Sequence, residues 1–580
     1  MLSADINIVR WYSFRNPKQT DRRFSIGRLF QIHYLCFMPS KKKSLVLFAI
    51  VFLLFAFKQA DDYFELSKNL EIFSSVYKTV NSDYVDEVKP GELMKKGIDA
   101  MLASLDPYTN YYTESQAEDA MIQRSGEYGG IGCQSTKFGD YIVITNVRKG
   151  LPADKAGLRI GDKILEINGK NFKGKSDSEM SEAVKGSPNT KFSLLVERNG
   201  NPLQLEIERQ EIKIYNVSYY GMVNHEVGYV RLDHFMMGAA SEIKEALIKL
   251  KAAGMKKMIL DLRENGGGLL HEAVNIVNLF VDMGQQVVVS KGRSKDAFME
   301  YKTLDPPVDK SIPLVVLVNN RSASASEIVC GALQDFDRAV IIGRNTFGKG
   351  LVQNVKPLVH RAQMKVTIAK YYIPSGRCIQ LLDYTHKNPD GTPGIVPDSL
   401  RKKFKTKNGR IVMDGGGVRP DLTVDLPKTP GIVESLDKSN LIFDFATAYR
   451  NQHEQIGDIN KFQISDEIFE AFKSFVKDKT YSYLNSSEKS LKSLKENLEK
   501  DAYKLDNEIL QLENAIKHAK NLEIDKFKNE VKSALRDEIA RRYYYDDAQF
   551  LLSFMYDPDV KKAIDTFNDM LGFNSILGVK

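Results

Sequence analysis

At 580 residues the chain is too long for a single hydrophobic core, and roughly two to four domains are expected. Its hydrophobic content of 43% and charged content of 27% are those of an ordinary globular protein, which excludes a disordered or fibrous chain. The net charge of +7 comes from 82 basic and 75 acidic residues spread along the sequence, so no basic stripe indicates a nucleic-acid partner.

Patterns typical of metal-dependent or disulfide-dependent proteins are absent from the sequence. The four cysteines lie far apart and include no CxxC pair, so neither a zinc knuckle nor a disulfide framework is indicated. His225 and His271 are each followed by glutamate, but both lack the second histidine of the HExxH zinc motif. We therefore expect no metal and no cofactor.

The N-terminal stretch, 1–60, carries a pattern typical of an export signal. Lys41–Lys43 precede an apolar run, Leu45–Phe57, that has signal-peptide length and is short for a membrane span. Because Met38 stands just before the lysines, we expect it to be the true start and the preceding residues to be a mis-called extension. The alternative is a cytoplasmic tail before an uncleaved membrane anchor. Either way, the remainder should lie in the periplasm or on the outer face of the cytoplasmic membrane.

The next two segments differ in the spacing of their apolar residues. From Asp61 to about Met101 apolar residues recur every three or four positions, which predicts helix, and Pro107 ends this helical pattern. We assign residues 61–124 to an N-terminal helical segment. Segment 125–208 has the pattern of a small β-rich domain, in which Tyr141–Val147 is one strand.

The second half of the chain changes pattern at residue 430. In 209–430 apolar strands alternate with amphipathic helices, which predicts an α/β core with parallel strands. The predicted strands of this core are Met258–Leu262, Gln286–Val289, Leu314–Val318 and Ala339–Ile342. Segment 431–580 predicts helices throughout. Its leucines recur every seven residues from Leu491 to Leu512, but polar residues fall between them, which favours a helical hairpin over a coiled coil.

Ser324 stands at a turn between the strand Leu314–Val318 and a predicted helix, Ser324–Phe336. The free N–H groups and positive end of such a helix favour an anion, which is what the tetrahedral intermediate of acyl transfer presents. Taken alone, Ser322, Ser324 and Ser326 also fit a small-residue turn in which serines cap the helix.

Lys349 is the candidate base for Ser324, because a serine hydroxyl is a poor nucleophile alone and no histidine lies in a comparable loop. Its loop follows the next predicted strand, Ala339–Ile342, so both loops should open at the same sheet edge. Burial beside Phe347 and Leu351 would lower the lysine pKa toward neutrality, as a base requires. The alternative is an ordinary solvated lysine on a glycine-rich turn.

The same loop nearly matches the phosphate-binding motif GxxxxGK[ST]. Gly350 replaces the Ser or Thr that would hold magnesium, and the residues after it lack a helical pattern, so a nucleotide-binding role is disfavoured. A second strand-to-helix junction contains Gly266, Gly267 and Gly268. These glycines leave backbone N–H groups accessible to a substrate oxygen, or simply satisfy a tight turn that needs positive φ.

Five motifs occur along residues 65–430 in a fixed order: DLRENGGG (261–268), SASASE (322–327), FGKGLVQ (347–353), YYIPSGRCIQ (371–380) and GGGVRPD (415–421). Together they resemble the C-terminal processing peptidases, also called tail-specific proteases. The resemblance implies a multidomain α/β protein whose peptidase core is of the crotonase or Clp-protease type. It departs from the family at Gly266, where proline is usual, and at Cys378, where serine is usual.

The resemblance also implies a Ser–Lys dyad. Ser324 falls on the family's nucleophile, Lys349 on its general base, and Gln353 on the glutamine that positions the lysine. The oxyanion donors would be the amide of Gly267 or Gly268 and the amide that follows the nucleophile. That second amide belongs to Ala325.

Segment 125–208 resembles the PDZ domain that this family carries before its core. The residues that match its carboxylate-binding loop are Tyr128, Gly129, Gly130, Ile131 and Gly132. Backbone N–H groups of such a loop can cradle a terminal carboxylate, and the extended tail then adds as a strand. The resemblance also extends over residues 152–169, which are mostly turn and core positions and so identify the fold better than they demonstrate ligand binding.

We therefore expect a serine endopeptidase that cleaves envelope proteins near their C-termini after its PDZ domain binds a free, apolar tail. The alternative is a PDZ scaffold on a catalytically silent core. The helical region 431–580 could pack on the core, self-associate or bind an adaptor, and the sequence does not choose between these roles.

Overall fold

The computed structural model describes residues 63–114, 116, 126–425, 428–479, 481, 486–501 and 503–579. The predicted export signal and the start at Met38 lie outside these ranges. Within them, no helix combines the length and the apolar character needed to cross a membrane. The chain divides into two compact units, of which the first ends at Ala100 and the second begins at Met101.

The described part of the first unit is helical. It contains helix α1 (63–83) and most of helix α2 (Pro90–Ala103). The helical pattern predicted from Asp61 to Met101 is therefore interrupted at 84–89. Proline has no backbone N–H and a fixed φ that suits the first turn of a helix, so Pro90 starts a new helix and does not continue the previous one.

The β-rich domain follows strand β1 (Asn110–Tyr112). Its elements are β2 (Glu127–Gly130), β3 (Cys133–Phe138), β4 (Tyr141–Val147), α3 (Pro152–Lys155), β5 (Lys163–Ile167), β6 (Lys170–Asn171), α4 (Asp177–Val184), β7 (Lys191–Arg198), β8 (Asn201–Glu208) and β9 (Gln210–Lys213). The sheet runs β3-β4-β5-β7-β8, β6 pairs with β5, and β2 pairs with β9. Alternate residues of β4 and β7, such as Ile142 and Leu194, are fully buried and form the core.

The α/β core begins at β10 (Val217–Met222). Its elements up to the lysine loop are β11 (Val227–Leu232), α5 (Ala239–Ala252), β12 (Lys257–Asp261), α6 (Leu270–Asn278), β13 (Gln286–Gly292), β14 (Met299–Lys302), β15 (Leu314–Val318), α7 (Ala325–Asp335) and β16 (Val340–Gly343). The elements after that loop are β17 (Leu351–Pro357), β18 (Gln363–Tyr372), β19 (Leu382–Lys387), β20 (Pro393–Ile395), β21 (Lys403–Lys405), β22 (Ile411–Met413) and β23 (Leu422–Thr423).

The main sheet of the core runs β10-β11-β12-β15-β16-β23. All its neighbours from β11 onward are parallel, as the alternation of strands and helices predicts. Because parallel strands end at the same edge, the loops after β12, β15 and β16 open together. These are the loops that carry the glycine run, Ser324 and Lys349.

A second, antiparallel sheet packs beside the first and runs β1-β18-β13-β14, with β17 also paired to β18. The prediction that Gln286–Val289 joins the parallel set was therefore wrong. A short apolar strand has the same residue pattern in either kind of sheet, so the pattern could not fix its neighbours.

The chain after residue 430 is helical, as predicted. Its helices are α8 (Gly431–Lys438), α9 (Leu441–Gln452), α10 (Asp466–Val476), α11 (Ser486–Lys500), α12 (Asp506–Asn521), α13 (Glu523–Lys526), α14 (Lys528–Tyr544), α15 (Asp547–Tyr556), α16 (Pro558–Asn568) and α17 (Met570–Ile576). Helices α11 and α12 form the predicted hairpin, across which Lys495 pairs with Glu513 at 2.6 Å.

Helix α9 holds the β-rich domain against the C-terminal helices. Phe443 packs on the buried core of that domain and meets Phe138 edge to face, with ring centroids 5.4 Å apart. One turn further along, Thr447 lies so close to Gly161 that a Cβ added to this glycine would stand 2.3 Å from the threonine methyl group. The two domains therefore meet through direct side-chain packing.

Candidate active site

Ser324 occupies a sharp turn between β15 and α7. Its φ is +56°, a value that non-glycine residues rarely adopt and that occurs where a fold holds a functional side chain in place. The two neighbouring serines have structural roles, because Ser322 Oγ donates to the Leu262 carbonyl and Ser326 Oγ donates to the Asn265 carbonyl, each at 2.8 Å. Both are fully buried, whereas Ser324 is half-buried and lines an open cleft.

Lys349 lies in the same cleft, on the loop after β16. Burial lowers the pKa of its ammonium group to about 8, and the nearby positive charge of Lys365 adds to this shift. The Lys349 Nζ stands 4.2 Å from the centroid of the Tyr108 ring. The structure thus shows a partly desolvated lysine and not a solvated one, and the residues after it form strand β17, which a phosphate-binding loop would not do.

Glu327 joins the serine turn to the lysine loop. Its carboxylate is fully buried and accepts hydrogen bonds from the Ser324 amide at 2.8 Å and the Lys349 amide at 2.9 Å. It also accepts from the Gly348 amide at 2.7 Å and from Thr346 Oγ1 at 2.6 Å. Burial raises the pKa of Glu327, and these four donors oppose that shift.

Tyr371 forms a second connection between the two loops. Its buried hydroxyl lies 3.1 Å from the carbonyl oxygen of Ser324 and 2.9 Å from that of Lys349. Sequence reasoning assigned no role to Tyr371 or Glu327. Both residues stood inside quoted motifs, YYIPSGRCIQ and SASASE, but residue type alone does not show which side chains turn inward.

The glycine run lies against the serine turn. Gly267 has a φ of +96°, and a Cβ at this position would stand 2.7 Å from the Ala323 carbonyl oxygen and 2.9 Å from the Ala325 amide nitrogen. Its own amide donates to Asn265 Oδ1 at 2.9 Å, so that N–H is engaged within the loop. Gly268 and Ala325 line the same cleft and are the other predicted donors.

Gln353 also lines the cleft, but its contacts differ from those the family resemblance implies. Its side-chain amide donates to Thr367 Oγ1 at 3.2 Å. The Thr367 backbone amide in turn donates to Thr109 Oγ1, which belongs to the segment that brings Tyr108 over Lys349. Gln353 is thus joined through Thr367 and Thr109 to the segment that carries Tyr108, the ring beside Lys349.

The cleft has a volume of about 730 Å³ and brings together every residue predicted for the dyad and the oxyanion site. Apolar side chains such as Ile214 and Leu270 line it alongside these polar groups. A larger cavity of about 920 Å³ lies elsewhere, around Arg263 and the helices α8, α14 and α15, and contains none of these groups. In the described part of the chain, no cluster of three or more histidine, cysteine, aspartate or glutamate side chains could hold a metal ion.

The predicted carboxylate-binding loop lies in the β-rich domain, outside this cleft. Tyr128, Gly129 and Gly130 belong to β2, which pairs with β9, and Gly132 has a φ of +76°. Ile131 is almost fully buried in the domain core. The structure thus places the dyad residues in one cleft and the predicted carboxylate-binding loop outside that cleft.

Comparisons with known proteins agree on three parts of the chain. The family model "Peptidase family S41" matches residues 226–398, "PDZ domain" matches 143–198, and "Probable PDZ-protease, C-terminal helical domain" matches 432–567. The chain is 36% identical to a "Probable CtpA-like serine protease" of Staphylococcus aureus over 369 residues, which are 62% of this chain and 66% of that protein. The match therefore spans just under two thirds of that relative.

Two further relatives extend the comparison. The chain is 36% identical over 344 residues to a "Carboxy-terminal-processing protease" of Bartonella bacilliformis, covering 58% of this chain and 77% of that one. The solved structure of a "Photosystem II D1 C-terminal processing protease" is 27% identical, with a TM-score of 0.34. It covers 62% of this chain and 93% of the other.

Proposed function

Because the chain belongs to the carboxy-terminal-processing proteases of peptidase family S41, with a PDZ domain and a C-terminal helical domain, we propose that it is a serine endopeptidase with a Ser324–Lys349 dyad. The observation that carries this proposal is a lysine with a pKa lowered to about 8, in one cleft with a serine at a strained strand-to-helix turn. Such a lysine is partly neutral near pH 8 and can accept a proton.

In the proposed reaction, Ser324 Oγ attacks the scissile carbonyl carbon while its proton passes to the neutral Lys349 amine. The C–N bond then breaks, and Lys349 returns the proton to the departing amine nitrogen, which leaves an ester on Ser324. Water then attacks the ester carbonyl carbon while its proton passes to Lys349, the bond between that carbon and Ser324 Oγ breaks, and Lys349 returns the proton to Oγ, which regenerates the serine and releases the new C-terminus. The amides of Ala325, at the N-terminus of α7, and of Gly268 would stabilise the negative oxygen in both steps.

The substrates we propose are envelope proteins with a free, apolar C-terminus. The PDZ domain supports this choice, because the backbone amides of the loop from Tyr128 to Gly132 can hold a terminal carboxylate. Amidating the C-terminus of a test substrate removes the carboxylate charge. We expect slower cleavage of the amidated substrate, and equal rates would argue against recognition of the tail.

The decisive test compares wild type with Ser324→Ala and Lys349→Ala, using an unstructured protein with an apolar tail as substrate and a chelator in the buffer. We expect each variant to lose activity on the order of 10⁴-fold or more while still binding the tail peptide. Ser187→Ala and Lys356→Ala are matched controls, because both residues are exposed and lie outside the cleft. Cleavage that survives both dyad substitutions would exclude the dyad, and a wild type that binds tails without cutting would favour a PDZ scaffold.

We also propose that proteolysis takes place outside the cytoplasm. The support is the pattern of Lys41–Lys43 followed by the apolar run Leu45–Phe57. Fusing alkaline phosphatase after residue 60 tests this, because the enzyme is active only when it is exported. Activity should require the apolar run and disappear when charged residues interrupt it.

A further inference from the structure

A partly open cavity of about 220 Å³ lies between the PDZ domain and the C-terminal helices. The PDZ side contributes α3 and the turn after it, and the helical side contributes the ends of α9 and α14. The residues that line the cavity are Val147, Asp154, Gly157, Leu158, Arg159, Ile160, Arg450, Arg541, Arg542 and Tyr545. Four of these ten residues are arginines, and they come from both domains.

The positive charge of this cavity is only partly neutralised. Arg541 and Arg542 share one carboxylate, that of Glu538, at 3.2 and 2.5 Å. Asp154 is the acidic residue on the cavity wall, and it accepts a hydrogen bond from the Tyr545 hydroxyl at 2.7 Å. The four arginines, set against the carboxylates of Asp154 and Glu538, leave a net charge of +2 on these six side chains.

Two of the arginines keep unused hydrogen-bonding capacity. Within the described ranges no acceptor is found for the guanidinium of Arg159, which stands at the exposed rim. Arg542 has a side chain only 1% exposed, and its Nε–H has no partner. Burial, and then the positive charges of Arg198 and Arg450, lower the pKa of Arg159, while the carboxylate of Asp162, which is paired with Arg198, opposes that shift. An anion in the cavity would add to the stabilisation of the cationic form.

We propose that this cavity binds a small phosphate dianion, which bridges the PDZ domain and the helical domain through Arg159, Arg450 and Arg541. A dianion matches the net charge of +2, and guanidinium groups bind phosphate oxygens in pairs. The volume of about 220 Å³ is several times the roughly 30 Å³ that one water occupies in the liquid, so it admits the five heavy atoms of phosphate. The ligand is free inorganic phosphate or the phosphate group of a small monoester.

The test is isothermal titration of the full-length protein with inorganic phosphate at constant ionic strength and pH 7.5, with thermal unfolding as a second readout. We expect one phosphate per chain and a rise in melting temperature. Arg159→Gln and Arg450→Gln should each weaken binding at least tenfold, since each removes a charge-assisted hydrogen bond. Arg361→Gln is the matched control, because this arginine is 85% exposed and lies in the peptidase core, and it should bind as wild type does.

Two further ligands separate the sources of the phosphate group. Tighter binding of glycerol 1-phosphate than of inorganic phosphate would identify a monoester as the ligand, and the reverse order would identify free phosphate. Acetate binding as tightly as phosphate would overturn the assignment to a dianion. Phosphate affinity that is absent in wild type, or unchanged in both Arg159→Gln and Arg450→Gln, would overturn the site itself, whatever the fate of the proposed proteolysis.

Discussion

Asp559, at the start of α16, connects the C-terminal helical domain to both catalytic loops. Its carboxylate is fully buried, and its Oδ2 accepts from Arg263 Nη1 and from Arg344 Nη2, each at 2.8 Å. Arg263 belongs to the segment that leads into the glycine run, and Arg344 to the loop that leads to Lys349. Replacing Asp559 by alanine therefore removes one anion that holds the bases of two active-site loops.

The loss of stability in Asp559→Ala depends on which contacts Arg263 and Arg344 keep. Removing one partner of a buried ion pair costs about 3–5 kcal/mol, because the other charge is left uncompensated. Arg263 keeps its contacts with Asp261 and Asp557, at 2.6 and 2.7 Å. Among the described residues, the Arg344 side chain keeps a 3.3 Å hydrogen bond to the Val424 carbonyl and no other partner. We therefore expect the lower end of the range, a loss of about 3 kcal/mol in the free energy of unfolding.

Urea denaturation followed by tyrosine fluorescence measures this loss. With an m value of about 3 kcal/mol per molar urea, a loss of about 3 kcal/mol lowers the midpoint by about 1 M. Asp565→Ala is the control on the same helix, because that residue is exposed, and it should leave the midpoint within about 0.2 M of wild type. The urea midpoint of Asp559→Asn, whose side chain keeps its shape but loses its charge, should fall between those of Asp559→Ala and Asp565→Ala.

We also expect reduced proteolysis by Asp559→Ala in the absence of urea, because both catalytic loops lose an anchor. A midpoint shift below about 0.3 M would show that the buried charges rearrange without cost. It would refute the idea that the helical domain supports the active site through this carboxylate.

Three further predictions concern the cleft itself. Because Lys349 must be neutral to act as a base, kcat/KM should fall about tenfold per pH unit below its pKa of about 8 and level off above it, as a pH–rate profile would measure. Glu327→Gln places an NH2 group against backbone N–H donors, which leaves donors on both sides without an acceptor. We expect this variant to lose about 1–3 kcal/mol in the free energy of unfolding, detected by thermal unfolding, and to show a larger fall in kcat than rise in KM. Tyr371→Phe removes the hydroxyl shared by two carbonyl groups, and we expect a loss of about tenfold in kcat with tail binding unchanged; a full-rate variant would exclude that role.

Much of the fold follows from local patterns. The strand Tyr141–Val147 and the helix beginning beside Ser324 were predicted within a residue or two, because alternation and turn residues act over short distances. The strand from Gln286 was placed in the wrong sheet, since the choice of neighbour depends on residues far along the chain. The break before Pro90 was missed although proline is a local signal.

The residues of the candidate active site also fall into those that a local pattern predicts and those that depend on distant parts of the chain. Ser324 and the glycines were found because they stand at strand-to-helix junctions, and Lys349 because it stands in a glycine-rich loop after a predicted strand, each with a recognisable residue pattern. Tyr108 was missed because its contact with Lys349 depends on β1 pairing with β18, more than 250 residues away in sequence. The side-chain partner of Gln353 is set instead by the pairing of β17 with β18, in which Gln353 and Thr367 stand opposite each other. Roles that rest on long-range contacts are not visible in a residue pattern.

The contact between Gly161 and Thr447 limits how the protein can be recombined. A PDZ domain grafted from another protein would carry its own residue at position 161, and any side chain there would strike α9 and require a φ of +96°. Chimaeras built to change substrate choice must therefore exchange the PDZ domain and α9 together, or retain this glycine. The binding specificity of the PDZ domain and its packing on α9 therefore change together unless Gly161 is kept.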